Sequence, residues 1–261
     1  MNRWQPQGVE FVAAQPDACL AIIVEALGST PRNAGAWMLI NASQTLGTIG
    51  GGHLEQAVIQ HARQLTQPDE QGYNLGTAMN QCCGGWVRVE FWPSVPADAD
   101  QHRLPSGRDW PQEVPDLALR VYGAGHVGRA LAGQVASLPI ELEIVDGREA
   151  YLDYPWPAGV RAGHQASDAI PDAVLVMTHS HALDLEICQA HLAEPPWFIG
   201  LLGSRSKSVK FANQLRRLGL DPSPLVCPIG DKTLGKTPPL VALSILHHLM
   251  ALHVSRFQEP E

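Results

Sequence analysis

The chain has 261 residues, of which 45% are hydrophobic and 17% charged, and it carries 18 basic against 26 acidic residues. This composition predicts a globular protein of one large or two small domains and excludes a disordered chain. The formal net charge of −8 argues against a nucleic-acid-binding protein, because such proteins usually present a basic surface.

Three further features of the sequence concern its location in the cell. We find no run of about 18 apolar residues that would predict a membrane span. The first residues lack the apolar stretch of a signal peptide. The five cysteines have no regular spacing, which favours a reducing compartment over a disulfide scaffold. We therefore expect a cytoplasmic protein that binds neither membrane nor nucleic acid.

The first hundred residues predict a small α+β domain. Apolar runs rich in β-branched residues indicate strands at 19–26 and 36–40, with a short strand at 46–49. Residues 86–92 alternate between apolar and polar side chains, as a half-buried strand does. Between them, apolar residues recur on one face of a predicted helix over 53–62.

Proline and turn-forming residues dominate the segment 93–115. Repeated prolines interrupt both helices and sheet ladders, so this composition is typical of a connection between domains. We predict an N-terminal domain over 1–100, a linker over 101–115 and a C-terminal domain over 116–261.

Strands and helices alternate through the second domain. Strands are predicted at 117–122, 140–145, 173–177 and 197–202, and helices at 127–137, 184–192, 206–218 and 238–254. Because the strands are continuously apolar, the pattern predicts a parallel sheet covered on both faces. The fold class is α/β, with a small α+β N-terminal domain followed by a Rossmann-like C-terminal domain.

A glycine-rich turn follows the first strand of that second domain. Gly123, Gly125 and Gly128 have the spacing of the dinucleotide fingerprint, and Asp146 ends the next strand. Such glycines allow a phosphate to approach the amides at a helix N-terminus. Asp146 would accept hydrogen bonds from ribose hydroxyls. The alternative is a Rossmann fold that holds another ligand or none.

Two glycine-rich segments of the first domain are further candidates. Gly50, Gly51 and Gly52 precede His53 at the start of a helix, where free amides favour an anion; the alternative is a tight turn. The other segment contains the vicinal pair Cys82 and Cys83, followed by Gly84 and Gly85. Thiolates are soft donors that suit metals or sulfur transfer, and the alternative is a pair of inert buried cysteines.

Two strand-to-helix turns of the second domain complete the set. His179 and His181 follow a strand, with Asp184 three residues further on. Imidazoles at such a strand end bind phosphate or metal, although a polar loop capped by Asp184 explains them equally well. Arg205 lies at the start of a helix whose first residues are basic, and such a start suits an anion. The alternative is a solvated helix face.

Together these segments resemble the XdhC family of xanthine dehydrogenase accessory proteins, which includes CoxI-type relatives. The resemblance covers nearly the whole chain. It rests on 28–32, Gly35, Met38, 47–55, 81–85, 123–128, Thr178, His179, His181, Asp184 and 199–205. Ser180 departs from the family pattern, which has an acidic residue at this position, and this difference weakens a metal-ligand role for the two histidines.

The resemblance implies an accessory role in purine catabolism and no catalysis by the chain itself. Such a protein binds molybdenum cofactor, protects it while a cysteine desulfurase installs a sulfido ligand, and delivers it to the molybdenum subunit of apo-xanthine dehydrogenase. We expect transient contact with both partners and allow for a homodimer. The expected cofactor is the molybdopterin form, with the dinucleotide form as an alternative.

The resemblance also suggests roles for the candidate residues. Cys83 or Cys82 would approach the metal or its sulfur, with Cys83 as the expected metal contact, while the turn at Gly50–His53 supports the pterin. The turn at Gly123–Gly128 would take the phosphate, and a cleft between the domains would enclose the cofactor. Two other functions stay open. One is an NAD(P)-dependent oxidoreductase of Rossmann type, for which Arg148, close after Asp146, leaves the choice between NAD and NADP open. The other is an adaptor that bridges desulfurase and dehydrogenase without a ligand.

Overall fold

A computed structural model of the chain describes residues 5–76, 84–95, 103–111, 117–135 and 138–257. The chain divides into two compact units, Met1–Val114 and Pro115–Glu261. Each unit has a sheet and hydrophobic core clusters of its own.

The first unit is an antiparallel sheet packed with two helices. Its elements are α1 (Gln5–Ala14), β1 (Cys19–Leu27), β2 (Trp37–Ile40), β3 (Thr45–Gly47), α2 (Gly52–Ala62), β4 (Asp69–Asn74) and β5 (Trp86–Trp92). The strands are ordered β3-β2-β1-β5-β4, and every neighbouring pair is antiparallel.

The central strand β1 is apolar along most of its length because both faces of the sheet are covered. Ala21 and Ile23 pack on the face that holds Leu54 and Val58 of α2. Leu20 and Ile22 alternate onto the other face and pack there with Val12 of α1. Successive side chains of a strand point to opposite faces, so a strand covered on both sides reads as a continuous apolar run.

Part of the predicted linker packs into this unit. Leu104 and Trp110 are buried in the same cluster as Leu20 and Ile22. Arg103 and Asp109 form an isolated antiparallel bridge around a turn. The segment 103–111 is therefore held to the first unit by burial of apolar side chains. Its four turn-forming residues, Pro105, Ser106, Gly107 and Pro111, had suggested a connection between domains.

The second unit is a parallel sheet with helices. Its elements are β6 (Leu117–Tyr122), α3 (His126–Gln134), β7 (Ile140–Val145), α4 (Glu149–Leu152), β8 (Arg161–Gly163), β9 (Ala173–Val176), α5 (His181–Ala193), β10 (Phe198–Leu201), α6 (Arg205–Arg217), β11 (Leu225–Val226), a 3-10 turn (Lys232–Leu234) and α7 (Pro238–Ser255). The strand order is β11-β10-β9-β6-β7-β8, and each pairing is parallel.

Helices cover both faces of this sheet. Leu119, Val121 and Leu175 pack on the face that includes residues of α3 and α7. Val174 and Val176 point the other way and pack with residues of α5 and α6. The predicted fold class is thereby confirmed: an α+β N-terminal region with an antiparallel sheet and a Rossmann-like C-terminal domain with a parallel one.

Helix α7 is apolar enough to be a candidate membrane span, although none was predicted from the sequence. Its 18 residues contain no Asp, Glu, Lys or Arg, and by length and composition the helix could cross a membrane. Histidines and serines interrupt the run of apolar residues, which is why no span was predicted. Ala242, Ile245 and Leu249 are buried against the sheet and α3, and that packing accounts for the apolar character of one face.

Candidate functional site

The second unit has a cavity of about 530 Å³ at the carboxyl edge of its sheet. The walls come from residues that follow β6, β7 and β9, from the segment 164–166 and from α5. Strand order reverses beside β6, because the chain runs outward to β7 and β8 and then returns to β9 on the other side. Ligands of open α/β sheets bind at such a reversal, and the volume is in the range of small-molecule sites.

The three glycines of the turn after β6 have three different roles. Gly123 has a φ of +125°, and a Cβ there would lie 2.5 Å from the carbonyl oxygen of Met177. A Cβ on Gly128 would lie 2.2 Å from the carbonyl oxygen of Gly123, so this glycine lets α3 pack onto the turn. A Cβ on Gly125 would meet nothing within 4 Å. Gly125 therefore leaves open space at the N-terminus of α3, where a phosphate is favoured.

Asp146 lines the cavity, but its carboxylate is fully engaged within the protein. Oδ1 accepts hydrogen bonds from the backbone amide and the Nε of Arg148, at 3.0 and 2.8 Å. Oδ2 accepts from the amide of Ala124 at 2.8 Å and from Nη2 of Arg148 at 2.6 Å. A carboxylate offers about four acceptor positions, and all four are filled. The ribose hydroxyls predicted as partners of Asp146 find no free acceptor in this arrangement.

The environment of Asp146 also sets its titration. Burial raises the pKa of the carboxyl, but the hydrogen bonds from Arg148 and from the Ala124 amide outweigh it and lower the pKa to about 2. Folding therefore favours the charged form, and this contribution to stability is complete above the pKa of an unfolded aspartate, about 3.9. It is lost as the pH falls toward the folded-state value of about 2.

This titration predicts a pH-dependent difference between the wild type and Asp146→Asn. Over the window from about pH 4 to about pH 2, the urea midpoint of the wild type should fall more steeply than that of the variant, because only the wild type gains a proton at this site on unfolding. Equilibrium unfolding at stepped pH measures both curves. Parallel curves over the window would contradict the prediction.

A buried ion pair joins the two remaining turns at this edge of the sheet. Asp184 on α5 is fully buried, and its Oδ2 lies 2.6 Å from Nζ of Lys207 on α6. Its Oδ1 accepts hydrogen bonds from the amide and hydroxyl of Thr178, at 3.0 and 2.7 Å. Ser180, rather than Asp184, caps α5 by accepting from the amide of Leu183. Asp184 thus holds the turn after β9 against the start of α6.

The other residues predicted for these turns differ in whether they line the cavity. His179 is exposed and lines the cavity. His181 is the first residue of α5, with its ring edge toward Phe211, and Arg205 is the exposed first residue of α6; neither lines the cavity. Among the described residues, no group of three or more His, Cys, Asp or Glu side chains could hold a metal ion.

In the first unit, a single loop contacts two of the predicted motifs. The amide of Gly85 donates to the carbonyl oxygen of Ser29 at 3.1 Å, which fixes the chain directly after Cys82–Gly84 beside the 28–32 loop. At the other end of that loop, a Cβ on Gly50 would lie 2.5 Å from Cγ of Pro31. The structure therefore brings Gly50 and Gly85 to the same loop, although they are far apart in sequence.

The turn before α2 is organised by a side chain of its own helix. Gly50, Gly51 and Gly52 all have positive φ. The Oε2 of Glu55 accepts hydrogen bonds from the hydroxyl of Thr48 at 2.5 Å and from the amide of Gly51 at 3.0 Å. A bound anion was predicted to supply negative charge at this helix start. In the structure the carboxylate of Glu55 supplies it. His53 is exposed at the same end.

The cysteines fall into two groups. Burial raises the pKa of Cys19 and Cys188 to about 12, and it also raises the pKa of Cys227. These three are thiols at neutral pH and poor nucleophiles. Cys82 and Cys83, including the predicted metal contact at Cys83, lie outside the described residues, so their roles stay predictions.

Three cavity residues were not assigned a role from the sequence. Arg148, close after Asp146, left the choice between NAD and NADP open in the sequence, and it is one of the residues that line the cavity. His164 follows β8, a three-residue strand with no apolar pattern to predict it, and pairs with Glu149 at 2.7 Å. Ile187 of α5 contributes apolar wall and follows from helical spacing once the start of α5 is placed.

Comparisons with known proteins agree with this architecture. Residues 119–249 match the XdhC Rossmann domain, and residues 11–75 match the XdhC and CoxI family. The chain is 31% identical over 252 residues to the uncharacterized protein YqeB of Escherichia coli K12, covering 88% of this chain and 42% of that protein. It thus spans about two fifths of the length of this curated relative.

A solved structure gives the same result for the fold. The crystal structure of a protein from Bacillus halodurans described as a xanthine dehydrogenase superposes with a TM-score of 0.77 at 20% identity, covering 100% of this chain and 98% of that one. The match to the XdhC Rossmann domain covers half of the chain and includes the glycine turn. The chain therefore belongs to the XdhC and CoxI family.

Proposed function

We propose that the chain is a maturation factor for a molybdenum hydroxylase of the xanthine dehydrogenase class and acts as a carrier of molybdenum cofactor. It binds the cofactor in the cytoplasm, protects it while a cysteine desulfurase installs the sulfido ligand, and delivers it to the apo-enzyme. Membership of the XdhC and CoxI family supports an accessory role. One structural observation carries the binding role: there is open space beside Gly125, in the same glycine turn whose Gly123 lines the cavity.

The residues around the cavity fit a cofactor that ends in a phosphate. The N-terminal amides of α3 lack partners within the helix and favour an anion, and Gly125 leaves room for one. The walls combine apolar side chains such as Leu183 and Ile187 with the polar groups of Arg148 and His179, a mixture typical of small-molecule sites. When bound, the cofactor supplies the molybdenum centre that the target enzyme uses.

The sulfur chemistry is assigned to the vicinal cysteines. Among the five cysteines, Cys19, Cys188 and Cys227 are held as thiols by burial. Cys82 and Cys83 therefore stay the candidates for a thiolate that contacts the metal or its sulfur. Two residues after Cys83 in the sequence, Gly85 donates its amide to the carbonyl oxygen of Ser29 and lies beside the 28–32 loop, which also contacts Gly50.

Loading with molybdenum cofactor tests the carrier function. After anaerobic incubation and gel filtration, molybdenum and pterin should be retained near one per chain by the wild type. Gly125→Ala should lose at least about tenfold in retention, because its methyl group meets no protein atom but fills the phosphate position. The matched control is Gly133→Ala on α3, whose Cβ also meets nothing within 4 Å and which should retain the cofactor fully.

The same measurement on Cys82→Ala/Cys83→Ala tests the thiolates. Loss of retention by this double variant places a thiolate at the cofactor, and full retention with full activation of apo-xanthine dehydrogenase would contradict that role. No retention by the wild type would contradict the carrier function itself and favour the ligand-free adaptor.

A nicotinamide-dependent oxidoreductase is the second candidate, and the geometry of the glycine turn favours it. Gly123, Gly125 and Gly128 divide their tasks as in dinucleotide-binding folds: a tight turn, an open approach and close helix packing. This function requires that the protein oxidise reduced nicotinamide while it reduces a substrate. The carrier function predicts no such consumption, so the absorbance of reduced nicotinamide separates the two.

A further inference from the structure

The cavity wall that faces the end of β7 presents a guanidinium rather than a carboxylate. Both oxygens of Asp146 are saturated, and its side chain is only 4% exposed, against 29% for Arg148. Nε and Nη2 of Arg148 bind Asp146, and its side chain also interacts with that of Tyr151. A guanidinium carries five N–H donors, so donors remain for a ligand, and the group at this position is cationic.

The guanidinium is held in place by an aromatic ring. Its central carbon lies 3.7 Å from the ring centroid of Tyr151, and Tyr151 does not line the cavity whereas Arg148 does. With Asp146 fixing one edge and Tyr151 one face, the position of Arg148 is determined before any ligand binds. A fixed, planar donor group suits a phosphate better than a flexible one does.

The local charge also favours an anion. Arg129 on α3 packs against the same ring at 5.4 Å and donates to the carbonyl oxygen of Tyr151. Two guanidinium groups thus pack against the ring of Tyr151, and one of them pairs with the carboxylate of Asp146. The cavity lining also includes His164, and its partner Glu149 has a side chain that is 86% exposed and so is well screened by solvent.

Two positions for an anion are therefore connected by one carboxylate: one beside the glycine turn and one in the cavity wall. The first is the N-terminus of α3, and Asp146 is tied to it through the amide of Ala124. The second is Arg148, at the strand end where dinucleotide-binding folds hold the ribose. A ribose with free hydroxyls finds no acceptor here, whereas a ribose that carries a phosphate finds the guanidinium.

From this geometry we propose that the cavity binds a nucleotide whose ribose carries an additional phosphate, the class to which NADP⁺ belongs, and discriminates against nucleotides with an unmodified ribose. Arg148 is the specificity-determining residue and Asp146 its positioning residue. The proposal rests on the hydrogen bonds of Asp146 and on the fixed position of Arg148, and it concerns the same cavity that we propose for molybdenum cofactor.

Binding of NADP⁺ and NAD⁺ to the full chain, measured by isothermal titration calorimetry, tests the proposal. The wild type should bind NADP⁺ at least about tenfold more tightly than NAD⁺, as expected for one charge-assisted phosphate contact. Arg148→Ala should weaken NADP⁺ binding and strengthen NAD⁺ binding, because the change frees two acceptor positions of Asp146 for the ribose hydroxyls. This reversal is an effect that a merely structural role of Arg148 would not produce.

Arg217→Ala is the matched control, since it removes an exposed arginine that lies outside the cavity lining, and it should leave both affinities unchanged. Equal affinity of the wild type for the two nucleotides, binding of neither at millimolar concentration, or equal weakening of both by Arg148→Ala would each overturn the proposal. If Arg148→Ala does not fold, the wild-type ratio alone decides. No molybdenum cofactor is present in this experiment, so its failure and that of the carrier function are distinguishable.

Discussion

Asp184→Asn is expected to destabilise the protein by about 3–5 kcal/mol, the usual cost of removing one partner of a buried ion pair. Asp184 is fully buried, and Lys207 is 11% exposed. The asparagine keeps an acceptor for Thr178, so the change isolates the charge: Lys207 is left with the carbonyl oxygen of Leu202 as its other acceptor. Urea denaturation followed by far-UV circular dichroism gives the difference in unfolding free energy.

A double variant separates the pair from its surroundings. Asp184→Leu/Lys207→Met should be more stable than either single variant, because replacing both charges removes the unpaired buried ion. Lys210→Met on the same helix is the control; it removes an exposed lysine and should change stability by less than about 0.5 kcal/mol. An Asp184→Asn cost as small as that of the control would show that the pair contributes nothing to folding.

That pair illustrates what the sequence could and could not establish about the site. Thr178, His179, His181 and Asp184 form a compact sequence motif, which suggested a joint role for the histidines. In the structure the motif divides: Asp184 turns inward to Lys207, whereas His181 stays exposed. Sequence spacing gives the position of a residue along a helix, but not the partner that a neighbouring helix supplies.

The glycine turn and Asp146 were predictable because local rules determine them. A strand, three glycines at fixed spacing and an acidic residue at the next strand end specify a Rossmann turn, and the structure has this turn. The saturation of Asp146 by Arg148 could not be predicted, because it depends on the rotamer of a long side chain and on its stacking against Tyr151.

The strands that the sequence missed are the polar or very short ones. β4 (Asp69–Asn74) has one buried side chain, Tyr73, and its strand conformation comes from pairing with β5 along its whole length. β8 and β11 have three and two residues at the edges of the parallel sheet. Edge strands gain their hydrogen bonds from one neighbour and bury few side chains, so hydrophobic periodicity cannot reveal them.

A second large effect is expected at Gly85, one of two adjacent glycines that look equivalent in the sequence. A Cβ on Gly85 would lie 2.4 Å from the carbonyl oxygen of Ser29 and 2.8 Å from that of Leu27, whereas a Cβ on Gly84 would meet nothing within 4 Å. Gly85→Ala should therefore destabilise the chain by about 1–3 kcal/mol, the usual cost of forcing a methyl group into packed atoms. Gly84→Ala should change stability by less than about 0.5 kcal/mol.

The two variants also test whether the contact of Gly85 with Ser29, just after Cys82 and Cys83 in the sequence, is needed for cofactor binding. The atoms that a Cβ on Gly85 would strike belong to the backbone, which cannot move aside as a flexible side chain can, so Gly85 itself must shift away from Ser29. Retention of molybdenum cofactor should then fall in Gly85→Ala beyond what its unfolded fraction explains, and stay at the wild-type level in Gly84→Ala. Equal retention per folded chain would mean that the anchor at Ser29 serves stability alone, and that Cys82 and Cys83 act without it.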